Sequence, residues 1–167
     1  MAQARRRASA KKNTGKKTSS RAKLHILVVE ARFYDDIADH LLKGAVRALE
    51  EAGATFDRVT LRGALEIPAA VAIAADAAVR KKRPYDGVVA LGCVIQGETF
   101  HFDIVAMQSA RGLMDVSIAH RLPAGNAILT VDTNAQALAR AHPDQGDKGG
   151  EAVKAMLDLL ALKRGGV

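Results

Sequence analysis

The segment Leu91-Gly92-Cys93-Val94-Ile95-Gln96-Gly97-Glu98-Thr99-Phe100-His101-Phe102-Asp103 places glycines, a hydroxyl and an imidazole directly after an apolar run. An imidazole can both take and give a proton near neutral pH. Glycine-rich backbone leading into a helix can present free amides to an anion such as a phosphate. Two further polar segments follow apolar runs: Ala31-Arg32-Phe33-Tyr34-Asp35 and Arg62-Gly63-Ala64-Leu65-Glu66-Ile67-Pro68. A single glycine loop is most often only a turn. Three such segments sharing one sheet edge are stronger evidence of a site than any one of them alone.

The elements that would carry these segments alternate. Leu24 to Glu30 is a nearly continuous apolar run, as expected of a strand covered on both faces. Asp36 to Ala52 has helical apolar spacing at Ile37, Leu41, Leu42, Ala45, Val46 and Leu49, with Gly53 as a stop. Phe56 to Leu61 predicts a second strand, and Ile67 to Lys82 an Ala-rich helix with Pro68 in its first turn. Val88 to Leu91 predicts a third strand, followed by the glycine loop and a helix over 103–120. Ala127 to Val131 predicts a fourth strand, and two closing helices cover 134–141 and 151–163. His142-Pro143-Asp144-Gln145-Gly146 separates those helices. Repeated βα units require right-handed crossovers and a parallel sheet. The expected fold is therefore a three-layer αβα sandwich around four parallel strands, of the flavodoxin-like kind. In such sheets ligands bind beyond the carboxyl ends of the strands.

Composition narrows the class of protein. With 167 residues, 49% of them hydrophobic, the chain suits one packed domain. The net charge of +7 is unevenly spread: Met1 to Lys23 holds nine Lys or Arg and no acid, whereas the remainder is slightly acidic. Residues 1–23 have too little apolar surface to fold and are expected to be a disordered basic tail, with the domain spanning 24–167. The tail shows no secretory pattern, and no segment is apolar enough to span a bilayer. Cys93 is the only cysteine, and no Cys and His spacing fits zinc. A cytoplasmic location fits these features.

Taken together, RFYDDI, GALEIPAA, YDGVVALGCVIQGETFHFD, LTVDTNAQALARA and DKGGEA resemble the lumazine synthase family, from Leu24 to Lys163. The resemblance implies condensation of 5-amino-6-(D-ribitylamino)uracil with 3,4-dihydroxy-2-butanone 4-phosphate. The products would be 6,7-dimethyl-8-ribityllumazine, phosphate and water, the penultimate step of riboflavin biosynthesis. No cofactor and no metal is implied. Schiff-base formation, phosphate elimination, ring closure and dehydration need proton transfer and the alignment of two substrates.

The same resemblance gives roles to individual residues. His101 matches the proton-transfer residue; otherwise it is a polar residue at a helix start. Glu98 and Thr99 match the pair that contacts the butanone phosphate, and Arg140 the guanidinium that binds it. Lys148 matches a further cation, with a surface ion pair as its alternative. Phe33 matches an aromatic that stacks on the pyrimidine, although a core role is also open to it. Ala64, Leu65 and Glu66 match the segment that binds the ribityl side, and Cys93, Val94 and Ile95 one whose backbone meets the pyrimidine. As a side chain, Cys93 reads as a small buried apolar group, since no activating partner is evident. Three positions depart from the family's pattern. Asn126 replaces a common aromatic, Gln96 a common arginine and Leu65 a common phenylalanine.

Asn126 is expected before the fourth strand, far from the polar loops. The resemblance resolves this by implying a homopentamer whose sites lie between subunits, with Asn126, Arg140 and Lys148 supplied by the neighbour. Some members build larger shells; the 142–146 segment departs from theirs and favours free pentamers or pairs of them. Two rival readings stand beside this one. Polyanions, including nucleic acid, could bind weakly through the basic tail alone. Alternatively, the chain could be a flavin- or lumazine-binding relative with little catalysis.

Overall fold

A computed structural model describes residues 23–166. The basic tail up to residue 22 lies outside the described residues. The first apolar run forms β1 (His25–Ala31), and all seven of its residues are buried. Helix α1 (Asp35–Glu51) follows, and its turn into β2 (Thr55–Leu61) uses Gly53 at a φ of +64°, a conformation in which a side chain would be strained. A single 3-10 turn at Ala64–Glu66 leads into α2 (Ile67–Arg80). Then come β3 (Gly87–Ile95), α3 (His101–His120), β4 (Ala124–Val131), α4 (Asn134–Ala141) and α5 (Lys148–Lys163).

The four strands are all parallel, in the order β2-β1-β3-β4. β1 alternates between two cores, as strand geometry requires. Ile26 and Val28 pack with Leu41, Leu49, Val153 and Met156 beneath α1, α4 and α5. Leu27 and Val29 pack with Ile67, Val71, Val105 and Leu113 beneath α2 and α3. The predicted three-layer αβα arrangement is the one observed.

Four boundaries differ from the sequence reading, and each moves a candidate residue. β3 runs on through Gly92 to Ile95, because Cys93, Val94 and Ile95 pair with Leu129, Thr130 and Val131 of β4. Gly92 does not end the strand; a Cβ there would be in ordinary contact with Ala31, Ala64 and Ile67. Asn126 lies within β4, in register with Ala90, rather than before the strand. The edge position leaves its side chain exposed, so a polar residue is tolerated in the ladder. Helix α3 starts at His101 and α5 at Lys148, each earlier than expected. The earlier start of α5 is secured by Asp147, whose Oδ1 accepts the Gly150 amide at 3.2 Å.

Candidate active site

Because all strands are parallel, the segments after β1, β2 and β3 emerge on one side of the sheet. They enclose a hollow of about 300 Å³. Phe33 and Tyr34 line it from the β1 end, and Gly63, Ala64, Leu65 and Glu66 from the 3-10 turn. Cys93, Val94 and Ile95 line it from the end of β3, with Gly97, Thr99 and His101 from the loop and the start of α3. The three segments singled out in the sequence are thus brought together.

The chemistry of the hollow is mixed. Phe33 is 70% exposed, and its ring meets Tyr34 edge-on at 5.0 Å, so a flat apolar face is open to a ligand. His101 is exposed at the first turn of α3. The Cys93 thiol is buried, and burial, aided by Asp36, pushes its pKa up to about 11. At neutral pH it is therefore a protonated, apolar wall and a poor nucleophile. Gln96 turns away, its Nε2 donating to the Gly97 carbonyl at 3.0 Å.

Four predicted residues are not among those lining the hollow. Glu98 is exposed on the loop beside it. Asn126 sits in a separate surface depression with Met107, Ala110, Ile128 and Thr130, and its Oδ1 accepts the Ile128 amide at 2.9 Å. Arg140 is exposed near the end of α4, with Nη1 3.4 Å from the Gln136 carbonyl. Lys148 is exposed at the start of α5, 3.7 Å from Glu151. Conversely, Tyr34, Phe102 and Val105 line the hollow without having been predicted. Tyr34 stood inside the RFYDDI motif and Phe102 inside the glycine-loop motif, whereas Val105 depends on the pitch of α3. Among the described residues, no cluster of three or more His, Cys, Asp or Glu could hold a metal ion. A wider groove of about 540 Å³ is lined by Leu24, Gly53, Leu157 and Arg164, at the other end of the sheet, and contains none of the motif residues.

The family model for 6,7-dimethyl-8-ribityllumazine synthase matches residues 23–164. The chain belongs to that family. It is 60% identical over 138 residues to the 6,7-dimethyl-8-ribityllumazine synthase of Nitrobacter hamburgensis, covering 83% of this chain and 85% of the relative. Identity to 6,7-dimethyl-8-ribityllumazine synthase 1 of Rhodopseudomonas palustris is 60% over 139 residues, or 83% and 85% of the two chains. For 6,7-dimethyl-8-ribityllumazine synthase 1 of Rhizobium meliloti it is 59% over 141 residues, or 84% and 92%. Membership of the lumazine synthase family makes the protein an enzyme of the transferase kind, acting on small molecules in riboflavin biosynthesis. No helix among the described residues is long and apolar enough to cross a membrane.

Proposed function

We propose that the hollow between Phe33, Leu65, Cys93 and His101 is the lumazine-forming site. There 5-amino-6-(D-ribitylamino)uracil condenses with 3,4-dihydroxy-2-butanone 4-phosphate to give 6,7-dimethyl-8-ribityllumazine, phosphate and water. The observation that carries this reading is the convergence of three strand-end segments on one hollow with an imidazole at its rim. The pyrimidine ring lies on Phe33 and along the backbone of Cys93, Val94 and Ile95. The ribityl chain runs toward Ala64, Leu65 and Glu66, whose carboxyl group accepts its hydroxyl hydrogens.

The amine attacks the butanone carbonyl, and loss of water forms the Schiff base. Removal of the C3 proton expels phosphate from C4, and the resulting enol tautomerises to a new ketone at C3. Attack of the second amine on that ketone, with a second loss of water, closes the ring. Each step moves a proton, and His101 is placed to exchange it with the reacting groups. Thr99, Glu98 and the Gly97 backbone meet the phosphate at the start of α3, where a helix N-terminus favours negative charge.

A homopentamer completes the site. Asn126, Arg140 and Lys148 come from the neighbouring chain, which accounts for their distance from the hollow of their own. A stripe of exposed apolar residues on α3, including Ile104, Met107, Met114 and Ile118, supports burial against another copy. A cytoplasmic location accords with the single buried thiol.

Lumazine absorbance, corrected for the uncatalysed reaction, tests the chemistry; tight ligand binding without acceleration would favour a non-catalytic binding role. Mixing inactive His101→Ala and Arg140→Ala chains tests the shared site. Random co-assembly restores about a quarter of the sites in a ring whose sites draw on two chains. No recovery after verified co-assembly would place both residues in the same chain's site.

A further inference from the structure

Glu30 is the only acidic side chain that is buried among the described residues, at 0% exposure. A carboxyl group there is costly unless its oxygens find donors. Oε1 accepts from Arg58 through Nε at 2.8 Å and through Nη2, and from the Thr60 hydroxyl at 2.8 Å. Oε2 faces Arg32, with Nη1 at 3.5 Å. From there the Arg32 guanidinium spans the chain turn. Its Nε donates to Asp35 Oδ1 at 2.8 Å, and its Nη2 to Asp39 Oδ1 at 2.7 Å. The Arg32 backbone amide donates to the Leu61 carbonyl at 3.0 Å.

Arg32 therefore ties β1 and the end of β2 to the first turns of α1, and the next residue is Phe33. The Phe33 ring is too exposed to be fixed by core packing, so its place depends on the turn that bears it. A buried ion pair is weak evidence for stability, since apolar replacements of similar volume often fold as well or better. The pair is better explained by what it holds in place.

We propose that Glu30 and Arg32 are positioning residues that set Phe33 as the platform for the pyrimidine ring, an inference that rests on the proposed role of Phe33. Arg32 suits this task because its flat fork of donors reaches three carboxyl groups at once, whereas a lysine ammonium lacks that geometry. Neither residue lines the hollow, so both act through Phe33.

The test is steady-state kinetics on the full chain, with each substrate varied separately. Arg32→Gln is expected to raise KM for the pyrimidine about five- to tenfold while KM for the butanone phosphate stays within about twofold. Arg32→Lys recovers part of the loss. On a Phe33→Ala background, Arg32→Gln adds less than about a twofold change, because the two substitutions remove one contact. Additive effects, or a fall in kcat that follows thermal stability with both KM values unmoved, would overturn the inference. If Phe33→Ala raises the pyrimidine KM and Arg32→Gln does not, only the positioning role fails. If Phe33→Ala leaves that KM unchanged, the reading of Phe33 fails and the inference with it. Glu30→Gln, similar in shape, provides a second variant should Arg32→Gln fold poorly, with the same pattern expected.

Discussion

Tyr85 and His25 meet on one oxygen: the Tyr85 hydroxyl donates to Oδ2 of Asp57 at 3.0 Å, and Nε2 of His25 lies 3.0 Å from the same atom. Their rings also pack, with centroids 4.6 Å apart. Burial pushes the Asp57 carboxyl up, but the Tyr85 and His25 contacts outweigh it and hold the group below its usual range. A depressed carboxyl stabilises the fold above its unfolded-state value, near pH 3.8, and that contribution is lost as pH falls through the depressed value. Asp57→Asn should therefore lower the thermal midpoint at neutral pH, with the gap from the parent closing under acid. Midpoints measured from pH 7 to pH 2 check this, and a constant gap would count against it.

Cys93 titrates in the opposite sense. With its thiol pushed up to about 11, the folded chain resists forming thiolate. The associated stability is present below the unfolded-state value, near pH 9, and is lost as pH rises through about 11. Iodoacetamide should modify native Cys93 slowly at pH 8 and markedly faster toward pH 11, while urea-unfolded chain reacts readily at pH 9. Equal rates in native and unfolded protein would show that the thiol is open.

His101→Ala should lower kcat by on the order of 10²-fold, the usual scale for a lost proton-transfer group, with small changes in KM. His101→Gln, which keeps a polar side chain but cannot shuttle a proton, should be nearly as slow. Steady-state rates above the uncatalysed background measure both; a fast glutamine variant would assign His101 to binding.

Helices α1 and α5 approach closely enough that a Cβ at Gly149 would overlap the Leu41 carbonyl. Gly149→Ala must push the helices apart, at a cost of about 1–3 kcal/mol. Urea unfolding reads this as a lower midpoint. An unchanged midpoint would mean that the two backbones can separate freely.

Much of the fold was legible because apolar runs and helical spacing both carry a period that the structure repeats. Leu24 to Glu30 reads as a buried strand and is one, within a residue at each end. Boundaries failed where tertiary contact overrode local signal. Gly92 looked like the start of a loop, but strand pairing with Ile128 and packing near Ala31 keep it in β3. The hollow was legible because each segment that lines it follows a parallel strand. That Asn126 stands apart from it followed from its place near the start of the fourth strand, whereas Arg140 and Lys148 drew attention only through the family resemblance. The role of Glu30 was hidden altogether, since the glutamate that closes LHILVVE reads as the end of a strand, and its partner Arg58 is brought to it by strand register rather than by spacing.

The place of α5 also bears on how the protein is made. Ala152, Val153 and Met156 of this helix complete the core shared by β1, β3 and β4, yet α5 is encoded after every other element described. A growing chain that has reached β4 has α1 over this face but still exposes the part that α4 and α5 will cover, and such exposed apolar surface is prone to aggregate. Premature termination before residue 148 should thus release a sticky fragment that is cleared by proteases, whereas completion of a single late helix turns the same strands into a protected interior.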